Sequence, residues 1–202
     1  MIVIVNYGMG NLHSVYNQCR KMGYDTIVSS NINDIRNASK IILPGVGHFS
    51  KAMEKLKELN FISILNKKVL EHKTPILGIC LGMQLLGLRS DEGGVDGLRW
   101  IDAETKKFKL SKHKYKIPHM GWNSLIIQNN RTILKGIDEN DEFYFVHSYY
   151  MKTKLKEIIV SETEYGIKFV SAIKKDNIFG TQFHPEKSHE SGIKILKNFI
   201  SL

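Results

Sequence analysis

The chain has 202 residues, 42% of them hydrophobic and 24% charged, which is ordinary for a globular protein and predicts one domain over residues 1–202. No apolar run is long enough to cross a membrane, so we expect no membrane partner. The first residues predict a strand rather than a secretion signal, and two cysteines make no disulfide framework, so we expect a reduced, cytoplasmic setting. The net charge of +9 raises the question of nucleic acid, but too few aromatic residues lie among the lysines to favour such a partner.

The first half of the chain alternates short apolar runs with helical stripes. The predicted strands are residues 1–5, 24–28, 41–43 and 75–79, and the predicted helices are residues 12–22, 49–59, 62–70 and 83–88. This alternation is typical of a parallel sheet that is covered on both faces. In such sheets, binding sites lie beyond the carboxyl ends of the strands, where Gly45 and Cys80 fall.

The second half predicts strands separated by polar turns, followed by a closing helix. The strands are residues 122–127, 142–146, 157–160, 168–173 and 178–183, and the helix is residues 191–202. These strands fit best as antiparallel additions to the same sheet. The predicted fold class is therefore α/β, with a single open, mixed and mostly parallel sheet flanked by helices.

Lysines are concentrated between residues 99 and 116. The segment contains Lys106, Lys107, Lys109, Lys112 and Lys114. A solvated face is the simplest interpretation of such a run, and a docking surface for an acidic protein is the alternative.

Cys80 is the residue most indicative of function. It is the centre of Gly-Ile-Cys-Leu-Gly (78–82), and small flanking residues allow a strand-to-helix turn that projects its central side chain above the sheet. A helix that starts near Leu81 would point its amide end at the sulfur and favour the thiolate. A lone cysteine in an apolar context is usually a small core residue, as we expect of Cys19, but the two glycines indicate that Cys80 is a nucleophile.

His184 and Glu186 follow the last predicted strand. Pro185 favours extended geometry, in which residues two apart share a face, so the carboxylate can bind one ring nitrogen while the other faces the sulfur. This is the arrangement of a nucleophile, a base and an orienting group. Without the cysteine turn, His184 and Glu186 would be weak evidence for a catalytic site. A metal site that adds His189 is not expected, because the spacing is not a zinc pattern.

Two other segments have two interpretations each. Residues 44–47, Pro-Gly-Val-Gly, form either an ordinary turn or a loop whose backbone approaches a ligand, and the backbone N–H groups of Val46 and Leu81 are candidates for an oxyanion hole. Residues 143–150 form either a core strand with a buried histidine or a wall of the substrate site.

Three motifs together resemble the class I, triad-type glutamine amidotransferases, which have a flavodoxin-like sheet. They are Pro-Gly-Val-Gly (44–47), Gly-Ile-Cys-Leu-Gly-Met-Gln (78–84) and Gln-Phe-His-Pro-Glu-Lys (182–187). Three further motifs, at 6–11, 118–123 and 144–149, are similar to those of the glutaminase subunits of imidazole glycerol phosphate synthase, which act in histidine biosynthesis. The resemblance runs from about residue 2 to residue 200.

The resemblance implies hydrolysis of L-glutamine to glutamate and ammonia. Cys80 would attack the side-chain amide, His184 would transfer protons, and Glu186 would hold His184. The substrate contacts that it implies are Gly47, Gln84, Glu92, His147, Ser148 and Tyr149. The resemblance implies no cofactor and no metal.

The resemblance also implies a partner, a cyclase subunit with a (β/α)8 barrel that forms a heterodimer and receives ammonia through a channel. Met120, Trp122 and Lys187 are the candidates for the docking face. Residues 97–103 and 87–88 depart from the family pattern, so a paralogous glutaminase that feeds another acceptor, such as amidino-sugar assembly for surface glycans, is the alternative. A γ-glutamyl hydrolase or a cysteine peptidase is less favoured, and the intact triad argues against a non-catalytic interaction module.

Overall fold

The computed structural model describes residues 1–111, 113–129 and 131–202; Lys112 of the basic segment lies outside these ranges. The strands are β1 (Ile2–Val5), β2 (Thr26–Ser29), β3 (Lys40–Gly45), β4 (Ile76–Cys80), β5 (Arg89–Ser90), β6 (Glu104–Lys107), β7 (His119–Ser124), β8 (Ile126–Ile127), β9 (Glu142–His147), β10 (Tyr149–Lys152), β11 (Ile159–Glu164), β12 (Lys168–Lys175) and β13 (Ile178–Thr181). The α-helices are α1 (Leu12–Lys21), α2 (Ile32–Asn37), α3 (Phe49–Glu58), α4 (Phe61–Asn66), α5 (Leu81–Leu85) and α6 (His189–Ile200). None of the helices in these ranges is long and apolar enough to cross a membrane.

One large sheet organises the molecule, with the strand order β2-β1-β3-β4-β13-β12-β10-β6-β5. The pairs from β2 to β13 are parallel, whereas β12 is antiparallel to both β13 and β10, and β10 is antiparallel to β6. The outer strand β11 pairs with β12 and with β8, and β7 and β9 form a separate antiparallel ribbon. The predicted fold class is confirmed.

The central strands are apolar on both faces because both faces are covered. Val3 and Val5 of β1 belong to one core cluster, together with Phe49 of α3, whereas Ile2 and Ile4 belong to the other. Phe199 of α6 and Val15 of α1 are also members of that second cluster. A parallel strand buried on both sides reads as a continuous apolar run, and β1 has that pattern.

The register of the central strands places the candidate site. Gly45 at the end of β3 pairs with Cys80 at the end of β4, and Thr181 at the end of β13 pairs with Ile79. The carboxyl ends of three neighbouring parallel strands therefore lie side by side. Residues that follow these ends, Val46 and His184 among them, meet at one edge of the sheet.

Several elements differ from the prediction, in both halves of the chain. The predicted strand 122–127 is two strands in different sheets, because β7 begins at His119 and pairs with β9, while β8 pairs with β11. The short strands β5, β6 and β10 and the helix α2 were not predicted. The predicted helix 62–70 begins as α4 and continues as a π-helical segment, Lys67–Glu71.

The lysines of the basic segment that the structure describes are largely exposed. Lys107, Lys109 and Lys114 are exposed. Lys106 forms ion pairs with Glu104 at 2.6 Å and with Asp91 at 3.2 Å, so part of its charge is already neutralised within the chain.

Candidate active site

Cys80 occupies a strained turn between β4 and α5. Its φ is 54° and its ψ is −109°, a region that L-residues rarely adopt and that costs about 1–3 kcal/mol. The surrounding packing must hold such a conformation, and the side chain is only 6% exposed. The helix α5 begins at Leu81, directly after Cys80, so its amino-terminal end lies next to the cysteine, but it has only five residues.

Two glycines make this turn sterically feasible. A Cβ on Gly82 would lie 1.8 Å from the carbonyl oxygen of Leu43 in β3. A Cβ on Gly78 would lie 2.7 Å from the carbonyl oxygen of Gly82 and from the backbone nitrogen of Met83. The backbone of the turn therefore packs directly against the neighbouring strand.

We expect Gly82→Ala to push α5 away from β3. The clash is with backbone atoms, so the free energy of unfolding should fall by more than about 2 kcal/mol. Gly136→Ala is the matched control, because Gly136 has φ of +74° but nothing within 4 Å of its Cβ position, and it should cost only about 1 kcal/mol of backbone strain. Urea denaturation measures both, and equal losses would contradict the packing argument.

His184 and Glu186 form a buried pair. His184 Nδ1 donates a hydrogen bond to Glu186 Oε1 at 2.8 Å, and both side chains are 1% exposed. His184 is extended, as predicted, with φ of −98° and ψ of 94°. The segment after it is not extended, because Glu186 lies in a 3₁₀ turn, Pro185–Lys187, that brings its carboxylate back to the ring. Asn11, which was not predicted to take part, places its Nδ2 atom 3.5 Å from the same carboxylate oxygen.

Cys80 and Glu186 both raise the pKa of His184. Burial lowers the pKa of His184, but the negative charge of Cys80 and the hydrogen bond and charge of Glu186 together raise that pKa to about 10. His184 Nε2 is buried and has no hydrogen-bond partner within ordinary distance and angle limits among the described residues. A histidine whose pKa is raised by a neighbouring cysteine and a carboxylate is suited to exchange protons with that cysteine.

A cavity of about 290 Å³ opens above Cys80. It is lined by all nine residues predicted as nucleophile, oxyanion hole or substrate contacts, namely Val46, Gly47, Cys80, Leu81, Gln84, Glu92, His147, Ser148 and Tyr149. Val146, which belongs to the segment 143–150 interpreted as a possible wall of the substrate site, also lines the cavity, and so does Pro118, which was not predicted. The Val146 carbonyl oxygen accepts from the Cys80 thiol at 3.9 Å, a backbone contact for which the sequence has no signal.

Two polar side chains in the cavity are fixed by the protein so that an oxygen remains for a ligand. Glu92 Oε2 accepts from the backbone N–H of Phe49 at 2.8 Å, which leaves its second oxygen. Gln84 Nε2 donates to the Tyr149 carbonyl at 3.0 Å and to Gln182 Oε1 at 2.9 Å. Both amide hydrogens of Gln84 are thus used, so Gln84 can offer a ligand only its carbonyl oxygen.

A pair of buried histidines supports the wall of the cavity. His147 Nδ1 donates to the Tyr149 carbonyl at 2.8 Å, so its Nε2 accepts from His119 Nδ1 at 3.0 Å. The other nitrogen of His119 accepts from Asn123 at 3.3 Å. The polar atoms of the His147 ring are therefore engaged within the chain. His119 was not predicted to take part.

The histidine pair predicts a loss of stability in acid. Burial lowers the pKa of His119 from 6.5 to about 4 and the pKa of His147 to about 3. Because the folded pKa values are depressed, the stability is fully present above pH 6.5 and is lost as the pH falls toward 4. We expect His119→Gln to reduce this loss by about 2 kcal/mol. Urea denaturation at pH 7 and pH 5 measures it, and parallel pH profiles for both proteins would contradict it.

Two of the predicted docking residues, Met120 and Trp122, lie on β7 of the ribbon, and the third, Lys187, extends from the neighbouring 3₁₀ turn toward β9. Met120 is 62% exposed and pairs with Val146, and Trp122 is 43% exposed and stacks on His189 with an interplanar angle of 5°. Lys187 Nζ lies 5.6 Å from the centre of the Tyr144 ring. We call Met120, Trp122 and Lys187 the ribbon face.

Comparison with known proteins gives the same family over nearly the whole chain. The family model for glutamine amidotransferase class-I matches residues 3–202. Imidazole glycerol phosphate synthase subunit HisH 2 of Methanococcus maripaludis is 53% identical, covering 99% of this chain and 98% of that protein. Imidazole glycerol phosphate synthase subunit HisH 2 of Pseudomonas aeruginosa is 46% identical over the full length of both, and the HisH 1 subunit of Campylobacter jejuni strain RM1221 is 50% identical, also over the full length.

Solved structures show the same fold at low sequence identity. A crystal structure of a glutamine amidotransferase has a TM-score of 0.77 at 14% identity and covers 100% of this chain and 98% of its own. The crystal structure of another glutamine amidotransferase, from Thermotoga maritima, has a TM-score of 0.64 at 15% identity and covers 99% of this chain and 83% of its own. With the family model matching residues 3–202, the chain belongs to the class I glutamine amidotransferases.

Proposed function

We propose that the chain is the glutaminase subunit of an imidazole glycerol phosphate synthase and that Cys80, His184 and Glu186 hydrolyse glutamine. The observation that carries the chemistry is the strained Cys80 turn, whose sulfur faces a cavity and whose charge acts on the buried His184–Glu186 pair. The identity of 46–53% to subunits of that synthase over nearly full length supports the choice of pathway.

In the first step the Cys80 sulfur attacks the carbon of the side-chain amide. A carbon–sulfur bond forms, and the electron pair of the carbonyl moves to its oxygen, which accepts hydrogen bonds from the N–H groups of Val46 and Leu81. His184 gives its proton to the amide nitrogen, the carbon–nitrogen bond breaks, and ammonia leaves. Glu186 keeps the ring oriented throughout, as its hydrogen bond to Nδ1 requires.

In the second step water cleaves the glutamyl thioester. His184 Nε2 accepts a proton from the water as its oxygen attacks the same carbon. The carbon–sulfur bond then breaks, its electron pair returns to the sulfur, and glutamate leaves. Burial of the pair keeps other water away from this proton transfer.

The second carboxylate oxygen of Glu92 and the side-chain carbonyl oxygen of Gln84 are available to hold the substrate. The Glu92 carboxylate suits the α-ammonium group of glutamine, and the Gln84 carbonyl suits an N–H of the substrate. Gly47, Ser148, Tyr149 and the backbone around His147 complete the wall. The position of Glu92 at the first N–H of α3 holds its carboxylate in place for this role.

A partner must receive the ammonia, because free ammonia is largely protonated near neutral pH and is then not nucleophilic. We propose that a cyclase subunit with a (β/α)8 barrel docks on the ribbon face to form a heterodimer. The ribbon carries exposed apolar side chains next to the cavity. Two further apolar residues outside the ribbon are also exposed, Val46 of the cavity lining by 39% and Ile117 by 37%. The loop at Val46 is well placed to change conformation when the partner binds. Two free cysteines are consistent with the cytoplasmic setting proposed for this pair.

Trp122→Ala should weaken binding of the cyclase subunit. Aromatic anchors in an interface typically cost about 2 kcal/mol or more when truncated, so we expect the dissociation constant to rise about 10–100-fold. Leu70→Ala is the control, because Leu70 is 42% exposed but lies before the start of β4, at the opposite edge of the sheet. Isothermal titration calorimetry compares the two, and an unchanged affinity for Trp122→Ala would contradict the docking proposal.

A different ammonia acceptor is the alternative to this pathway. The related subunits carry numbers in their names, HisH 1 and HisH 2, and residues 97–103 depart from the family pattern. Production of imidazole glycerol phosphate by the purified complex from its nucleotide substrate and glutamine tests the pathway. Cleavage of γ-glutamyl peptides faster than glutamine would instead favour a γ-glutamyl hydrolase or a peptidase.

A further inference from the structure

Gln182 has a buried amide that the mechanism above does not use. The residue lies between the end of β13 and His184, and none of its surface is exposed. Its backbone N–H donates to the Ser171 carbonyl at 2.8 Å, which fixes the main chain. Its side-chain Nε2 lies 3.6 Å from the Cys80 sulfur, and its Oε1 accepts from Gln84 Nε2 at 2.9 Å.

The orientation of this amide is set by one backbone carbonyl. The Tyr149 carbonyl can only accept, so the atom of Gln84 that faces it at 3.0 Å must be the nitrogen. The same nitrogen faces Gln182, so the Gln182 atom there must be the oxygen. The amide nitrogen of Gln182 is then left on the side of Cys80, and it presents an N–H to the sulfur.

The thiol and the thiolate have different partners at this sulfur. A thiol can donate to the Val146 carbonyl, which lies 3.9 Å away. A thiolate has no hydrogen and only accepts, and Gln182 Nε2 offers the N–H that it needs. A hydrogen bond to a charged acceptor is stronger than one to a neutral acceptor, so the Gln182 contact favours the charged sulfur.

We propose that Gln182 is a further catalytic residue that donates an N–H to the Cys80 thiolate before attack and again when the thioester collapses. The inference rests on the proposed role of Cys80 as nucleophile. In the second step the carbon–sulfur bond breaks, its electron pair moves to the sulfur, and Gln182 stabilises the charge that develops there. Gln84 acts through Gln182 as a positioning residue, in addition to its contact with the cavity.

The test compares Gln182→Met and Gln182→Glu with the unaltered chain by alkylation of Cys80 with iodoacetamide across a pH series, read by peptide mass spectrometry. Met keeps the approximate volume without a donor, and Glu keeps the shape but adds a negative charge. We expect the midpoint of alkylation to rise by about one pH unit in Gln182→Met and further in Gln182→Glu. The turnover number for glutamine in the complex should fall at least about tenfold, with KM changed much less.

Ser171→Ala is the matched control, because Ser171 is a buried polar residue of the adjoining strand that bonds to Ser161 and not to the sulfur. It should lower stability without moving the alkylation midpoint. Unchanged midpoints in folded Gln182→Met and Gln182→Glu would overturn the inference. The alkylation assay does not need glutamine, so it tests the Gln182 contact separately from the proposed function. If the unaltered complex released no glutamate, that result would count against the proposed function alone.

Discussion

Cys80→Ala should abolish the glutamine-dependent synthesis of imidazole glycerol phosphate by the complex. Synthesis of the same product from added ammonia should continue at the original rate. In the proposed mechanism the Cys80 sulfur forms the thioester, and the variant lacks it, so glutamine-dependent turnover should fall at least about 10⁴-fold. In the proposed complex the cyclase subunit uses ammonia whatever its source, so we expect ammonium salt at high pH to support full activity of the variant complex. A coupled assay for imidazole glycerol phosphate, run with either nitrogen source, measures both rates.

Cys19→Ala is the control for this experiment. Cys19 is the other cysteine of the chain, and burial raises its pKa to about 11 within a core cluster of the sheet. We expect this variant to keep glutamine-dependent turnover and to lose about 1 kcal/mol of stability from the small cavity. An equal loss of glutamine-dependent and ammonia-dependent synthesis in Cys80→Ala would contradict the division of labour between the two subunits.

His184→Ala should damage turnover more than Glu186→Ala. In the proposed mechanism His184 moves the proton in both steps, so we expect its removal to lower the turnover number for glutamine by about 10³–10⁴-fold. Removal of Glu186 leaves His184 in place, but the ring loses the hydrogen bond that orients it and one of the groups that raise its pKa. We therefore expect a smaller loss in the turnover number, of about 10²-fold. Steady-state kinetics of glutamate release by the complex measure both.

The pH dependence of the turnover number also tests the roles proposed for His184 and Glu186. Glu186 is one of the groups that hold the pKa of His184 near 10, so Glu186→Ala should shift the pH profile of turnover toward lower pH. The Ser191→Ala variant is a control at a polar residue of α6 outside the cavity lining, and it should leave the profile unchanged. A greater loss in Glu186→Ala than in His184→Ala would refute the roles given to the two residues.

The sequence was informative where function depends on local pattern. The Gly-Ile-Cys-Leu-Gly segment predicts a strand-to-helix turn because glycine tolerates the close approach to β3, and Cys80 lies in such a turn. Alternation of apolar runs and helical stripes predicted the parallel half of the sheet. The nine predicted cavity residues lie around one space. For Val46, Gly47, Cys80 and Leu81 the reason is that β3 and β4 are neighbouring parallel strands whose carboxyl ends share an edge.

The sequence was uninformative where a role depends on contacts far apart in the chain. Gln182 reads as one polar residue near a strand end, and only its distance of 3.6 Å to the sulfur suggests chemistry. His119 pairs with His147 across the β7–β9 ribbon, which requires knowing that β7 leaves the main sheet. Glu186 reaches His184 through a 3₁₀ turn rather than the predicted extended segment.

Labelling with an electrophilic glutamine analogue, such as a diazoketone, followed by peptide mass spectrometry tests the central claim most directly. We predict one covalent adduct on the peptide that carries Cys80, protection by excess glutamine, and a much slower reaction in His184→Ala. An adduct on Cys19, or labelling of Cys80 that glutamine does not slow, would contradict the claim that this cavity holds glutamine over an activated sulfur.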